Sequence, residues 1–238
     1  MSRKVYKIGF TEYIFDDKGK NDMNEKQVVG SYSNLEEKIN VISHAVGLFL
    51  SIVAFGLLLQ RAVSEGGALL FISFTVYGLS LILLYSASTF YHYSKDIKTR
   101  AKLQIFDHCS IYVLIAGTYT PYMLLTLNGS LGWTIFILIW ALALIGIVLK
   151  LFFTGRFNFI LTIMYILMGW MIVFTIKPLL NSLAREAVIL LFAGGLAYTF
   201  GALIYGIKKI KLNHAIFHIF VLIGSLCHFI SVYFYVAL

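Results

Sequence analysis

Six histidines and one carboxylate carry the chemistry open to this sequence. His44, His92, His108, His214, His218 and His228, together with Asp107, all fall inside long apolar stretches or at their ends. An ionisable group at membrane depth costs about 3 kcal/mol unless it is paired, hydrated or bound to something, so each is a functional candidate. His214 and His218 stand four apart and project from one helix face, a turn from each other. Ser88 and His92 share that spacing, and Glu37, Asn40 and His44, at i, i+3 and i+7, form a further stripe. Imidazole is the commonest metal-ligating side chain, and catalytic zinc typically takes three protein ligands and leaves one position to water. The His214/His218 pair plus one histidine from another helix meets that count. His92 is the third ligand on depth, and His44 is the second choice. Asp107 then accepts a hydrogen bond from the water at the metal or acts as general base, with the Ser88 hydroxyl nearby.

The plainer readings apply elsewhere. Two histidines four apart also occur in ordinary helix packing, and it is the company of His92, Asp107 and Ser88 at the same end that favours a metal. His108 is adjacent to Asp107, points about 100° away, and reads as structural. His228 lies roughly 15 Å beyond His218 along a helix, too deep for the same site, and is expected to bond to a neighbouring helix. Cys109 and Cys227 read as small apolar side chains. Gly194, Gly195 and Gly201 form a small-residue face for close helix contact, and Pro121 is expected to kink its span.

The elements that must position these residues follow from composition. Of 238 residues, 60% are hydrophobic and 13% charged, with a mean hydropathy of +0.86; a typical soluble domain is about 45–50% apolar and about 25% charged. A soluble core of this size cannot hide so much apolar surface. Two prolines, two cysteines and a 16% aromatic share exclude disorder, collagen and a disulfide scaffold. The first 38 residues hold seven basic and seven acidic side chains, whereas the remaining 200 hold twelve and four. Residues 1–35 are therefore a polar tail and residues 36–238 a membrane domain.

Apolar runs predict an all-α, polytopic membrane protein, a bundle of seven transmembrane helices over 39–60, 67–92, 105–126, 131–152, 158–177, 185–206 and 215–237. Basic residues alternate in density between the connections. The tail, Lys95 to Lys102, Lys150, Arg156 and Lys208 to Lys211 lie on one side, with only Arg61, Lys177 and Arg185 on the other. The positive-inside rule then places the N-terminus in the cytoplasm and the C-terminus outside. The same rule accounts for the net charge of +8 without nucleic acid. The first 30 residues contain no apolar stretch followed by a small-residue cleavage site, so the first span is expected to act as its own insertion signal.

The spaced polar motifs resemble those of the hemolysin III family, the bacterial branch of the progestin and adipoQ receptors (adiponectin receptor-like proteins), and more loosely a superfamily of seven-span hydrolases that includes alkaline ceramidases. The motifs are Glu37-x2-Asn40-x3-His44, Ser88-x3-His92 with Asp107 downstream, Ala116 to Pro121, and His214-x3-His218 followed by Gly224 to Phe229. The resemblance covers Glu36 to Leu238. It implies a multi-pass protein of the bacterial cytoplasmic membrane and zinc near the cytoplasmic face, held by His92, His214 and His218. It also matches the motif Asp to Asp107 and the motif Ser to Ser88, with Glu37, Asn40 and His44 supporting the site.

The expected function is that of a zinc-dependent hydrolase cleaving a lipid amide or ester that enters from the bilayer, with membrane lipids as its partners. No P-loop or dinucleotide fingerprint competes with it. The rival readings are a hemolysin-like cytolytic or pore-forming protein, and a receptor or sensor whose zinc is structural. A secreted toxin must travel through water, which this mostly apolar chain without a signal peptide is poorly made to do.

Overall fold

A computed structural model of the chain describes residues 3–8, 11–16, 32–127, 129–152 and 158–236. Near the N-terminus, strands β1 (Arg3–Ile8) and β2 (Thr11–Asp16) pair antiparallel, Arg3 opposite Asp16 and Ile8 opposite Thr11. Both segments mix β-branched and aromatic residues with charged ones, a composition suited to strands and overlooked when the tail is read by charge alone.

The membrane domain begins at a cap. Ser33, in extended conformation, accepts the Glu36 N–H at 3.2 Å, and Glu36 and Glu37 in the first turn complement the helix dipole of α1 (Asn34–Glu65). Gly66 and Gly67, with φ of 77° and 101°, turn the chain into α2 (Ala68–Tyr93) through backbone that L side chains rarely adopt. Asp96 caps α3 (Ile97–Pro121) by accepting the Thr99 N–H at 2.9 Å. Hydrogen bonds from Thr99 hold the Asp96 carboxyl below the usual carboxylate range. Pro121 ends the regular helix, and a π-helical turn, Tyr122–Leu127, carries the chain onward. Then follow α4 (Gly129–Phe152), α5 (Asn158–Trp170), a 3₁₀ turn (Met171–Thr175), α6 (Ile176–Ser182), α7 (Arg185–Gly206) and α8 (Asn213–Tyr235).

Among the described residues, seven helical segments are long and apolar enough to cross a membrane, α5, the 3₁₀ turn and α6 together making one of them. This is the seven-helix bundle that the apolar runs predict. Its ends differ from prediction where capped polar turns extend beyond the apolar stretch: α1 starts at Asn34 rather than 39, and α3 at Ile97 rather than 105. The break expected from Pro178 falls instead after Ser182, because a proline in the first turn of α6 loses no helical hydrogen bond. The loop expected at 153–157 lies outside the described residues.

The closest pairings are α7 with α8, α1 with α2 and α2 with α3, while α1 and α8 close the ring; α5 sits more loosely between α3, α4 and α7. The largest fully buried side chains are aromatic, among them Phe74, Tyr77, Tyr85, Tyr112 and Tyr122. Close helix approach depends on missing side chains: a Cβ on Gly47 would strike the Tyr85 ring and one on Gly146 the Tyr112 ring. Outward, large apolar side chains such as Phe49, Ile137, Leu203 and Phe174 (83% exposed) cover the surface. An apolar exterior of this extent requires lipid around it. The chain is a multi-pass membrane protein.

Candidate metal centre

Two helices bring the histidines together. His92 ends α2, and His214 and His218 occupy the first two turns of α8, which starts after Leu212 in the left-handed conformation (φ 58°). One ligand nitrogen from each of His92, His214 and His218 lies within 4.8 Å of the others, and all three residues are buried. His92 Nε2 and His214 Nε2 are 3.0 Å apart. Zinc–nitrogen bonds of about 2.0–2.1 Å set neighbouring tetrahedral ligands about 3.3 Å apart, so this pair already stands near ligand-to-ligand distance.

The other ring nitrogens are occupied from α1 and the residue before its cap. His92 Nδ1 lies 2.8 Å from Glu37 Oε2. A carboxylate only accepts, so Nδ1 carries the proton and donates. The Asn40 amide nitrogen, 3.4 Å from the same atom, is then a contact and not a second hydrogen bond. His214 Nδ1 meets the Tyr32 hydroxyl at 3.2 Å, with the two rings stacked at 4.6 Å. His218 Nδ1 is 3.5 Å from Ser43 Oγ, whose own hydrogen goes to Asn40 O at 3.1 Å, leaving its lone pairs to accept. One tautomer satisfies all three contacts: protons on Nδ1 and bare lone pairs on Nε2. Bare lone pairs facing each other across 3.0 Å repel, and a cation between them turns the repulsion into ligation. The donor set, three neutral imidazoles oriented by oxygen atoms behind them, fits zinc.

Charged residues brace the cluster. Arg100 on α3 forms an ion pair with the other Glu37 oxygen, Oε1. The same guanidinium donates towards the end carbonyls of α2, Ser94 O at 3.2 Å and His92 O at 3.4 Å, and lies 4.7 Å over the Tyr91 ring. Glu36 Oε1 accepts the His214 backbone N–H at 3.3 Å, joining α1 to the first turn of α8.

The predicted residues divide as follows. His92, His214 and His218 converge, and Glu37 and Asn40 lie behind them. His44, the second choice as ligand, is stacked flat on His218, ring centroids 3.5 Å apart and planes 15° off parallel, outside the three-nitrogen cluster. Asp107 and Ser88 line a cavity of about 490 Å³ that His214, His218 and His44 also line. Asp107 lies within electrostatic reach of Ser88 and Lys150. His108 also lines the cavity, its carbonyl accepting the Tyr165 hydroxyl at 3.0 Å. His228 packs on Tyr198 and Gly194, and its Nδ1 has no hydrogen-bond partner among the described residues, contrary to the expected cross-helix bond. Both cysteines are free thiols.

Tyr32, Ser43, Glu36, Arg100 and Lys150 were not singled out from the sequence. Ser43 and Glu36 are neighbours of motif residues and were open to a helical-wheel reading. Nothing local marks Tyr32, because its partner lies 182 positions away. The cavity continues from the histidines between α3, α5, α7 and α8, past Ile115, Ile166, Phe192 and Val221, so its deeper walls are largely apolar.

A family model described as "Haemolysin-III related" matches residues 32–229. The match begins at Tyr32, the residue that touches His214. Among similar proteins is a "Hemolysin-3 homolog" of Bacillus subtilis (strain 168), 47% identical over 200 residues, which cover 84% of this chain and 94% of that protein. "Hemolysin-3" of Bacillus cereus is 46% identical over 214 residues, 90% of this chain and 98% of the relative. More distant is the "Monocyte to macrophage differentiation factor" of Homo sapiens, 26% identical over 168 residues, 67% of this chain and 68% of the other.

Proposed function

Because this chain belongs to the haemolysin-III related family, we propose that it is a membrane-embedded zinc hydrolase that cleaves a lipid amide or ester. The observation that carries the reading is the pair of Nε2 atoms facing each other at 3.0 Å beside His218, each Nδ1 already engaged. When bound, zinc supplies Lewis acidity, polarising a carbonyl and easing the deprotonation of water.

The chain's own residues do the rest. His92, His214 and His218 hold the ion, with Glu37, Tyr32 and Ser43 fixing the ring orientations. Asp107 takes a proton from the attacking water. The Ser88 hydroxyl, which has no hydrogen-bond partner among the described residues, would donate to the Asp107 carboxylate or to the substrate, and Lys150, buried at the end of α4, keeps a cation beside Asp107. The cavity is a good size for an acyl chain, and its apolar deeper walls favour one over a polar solute.

The density of Lys and Arg supports a cytoplasmic N-terminus, with the metal centre on the same side. The polar segment before Tyr32 then lies in the cytoplasm, and membrane lipids are both the solvent and the substrate source.

Metal analysis of the purified protein tests the reading. We expect about one zinc per chain, lost in His214→Ala and His218→Ala; metal-free protein ends it. Asp107→Asn should keep zinc and abolish turnover of ceramide-like or acyl-lipid substrates. Turnover equal to wild type would instead favour a receptor or sensor with structural zinc. The names of the Bacillus relatives favour a second reading, cytolysis. It requires dye leakage from liposomes that survives chelation of the metal.

A further inference from the structure

Two polar stripes run the length of the bundle, and the metal centre uses only one end of them. On α8 the buried polar residues are His214, His218, Ser225, His228 and Ser231; on α2 they include Ser73, Tyr77, Tyr85, Ser88 and His92. At 1.5 Å per residue, His214 to Ser231 spans about 26 Å and His92 to Ser73 about 28 Å. The hydrocarbon core of a bilayer is about 30 Å thick. Both stripes therefore reach across nearly all of it.

They also meet each other. The Tyr85 hydroxyl donates to Ser225 Oγ at 2.8 Å, and the Tyr198 hydroxyl bonds the same oxygen at 2.9 Å. A turn further from the metal centre, His228 stacks on Tyr198 with ring centroids 5.5 Å apart. It occupies space that any Cβ on Gly194 would fill. Beyond it, Tyr77 lies within electrostatic reach of Tyr198, Tyr122 and Tyr85, and Tyr122 is beside Ser231.

Some of these groups are spent on backbone: Ser231 donates to Ala187 O at 3.0 Å and Ser80 to Tyr77 O at 2.7 Å. Five are not. His228 Nδ1, the Tyr77 and Tyr122 hydroxyls, Ser73 Oγ and Ser88 Oγ are buried without a hydrogen-bond partner among the described residues. Buried polar atoms in native proteins are bonded to protein or to ordered water, and a polar, roomy site takes water. The room is there beside His228, Tyr198 and Tyr122, which line the cavity that begins at His214; Tyr77, outside that lining, lies within electrostatic reach of Tyr198 and Tyr122. A row of hydroxyls and an imidazole along such a cavity is the arrangement of an intramembrane proton relay. Imidazole suits the relay because one ring nitrogen accepts while the other donates.

We propose that α2, α7 and α8 enclose a hydrated proton route from the cavity to the bundle face opposite the metal centre, with His228 relaying between the Tyr198–Ser225 pair and Tyr77. This is a function separate from hydrolysis and does not rest on the metal. Helix packing alone explains the glycines and the aromatic rings, but it gives no reason for five polar atoms left without partners along the bundle.

Full-length protein reconstituted in phosphatidylcholine vesicles, with pyranine inside and a potassium gradient discharged by valinomycin, tests the route. Protein-dependent proton entry should exceed that of protein-free vesicles while co-trapped carboxyfluorescein is retained. It should fall roughly fivefold or more in His228→Phe or in Tyr77→Phe, whichever keeps the wild-type melting temperature. The second variant removes a single hydroxyl and guards against a folding defect in the first. Proton entry no faster than in protein-free vesicles, equal rates in wild type and both variants, or dye loss alongside the protons overturns the proposal.

Discussion

His92 Nδ1 donates to Glu37 Oε2 at 2.8 Å, while Arg100 holds the other oxygen of the same carboxylate. The histidine at the end of α2 is thus oriented by α1, and α1 is tied to α3 by a guanidinium that also gathers the last carbonyls of α2. A carboxylate behind a ligating imidazole fixes the ring and raises its basicity.

Glu37→Ala is expected to weaken zinc binding by about 10–100-fold without removing a ligand. Competition with a calibrated chelator measures it. Unchanged affinity would show that packing alone orients His92.

Tyr32→Phe and Tyr32→Ala separate two contributions to His214. Phenylalanine keeps the ring stacked at 4.6 Å but deletes the hydroxyl bonded to Nδ1; alanine removes both. Zinc affinity should fall in the order wild type, Phe, Ala. A Phe variant indistinguishable from wild type would mean that the hydroxyl contributes nothing.

Two adjacent glycines should respond in opposite ways to the same change. A Cβ on Gly194 would lie 2.7 Å from His228 Nε2, whereas one on Gly195 meets nothing within 4 Å. Gly194→Ala should destabilise the protein by about 1–3 kcal/mol through overpacking. Gly195→Ala should be neutral or stabilising by up to about 1 kcal/mol through helix propensity. Thermal unfolding in detergent ranks them, and equal melting temperatures would contradict the packing.

Removing the metal should lower stability as well as activity, because its ligands come from two helices far apart in sequence. A ligand at about a thousand times its Kd stabilises the folded state by about 4 kcal/mol. Chelation should therefore depress the melting temperature and added zinc restore it. In His218→Ala both responses should vanish.

The number of helices and the convergence of three histidines were legible without a structure, for a common physical reason. Lipid demands about twenty apolar residues per crossing, and a polar residue inside such a run is conspicuous because it is costly there. Spacing of four put His214 and His218 on one face, and depth matched His92 to them. Helix ends were less legible, since Ser33 and Asp96 cap turns that lie outside the apolar core. What only the tertiary structure decided is which groups stand behind the ligands and how far polarity reaches into the bundle. Tyr32 meets His214 across 182 positions, Arg100 meets Glu37 across 63, and Tyr85 meets Ser225 across 140. Local pattern reports which face of a helix is polar; only the packing of helices against one another determines what that face touches.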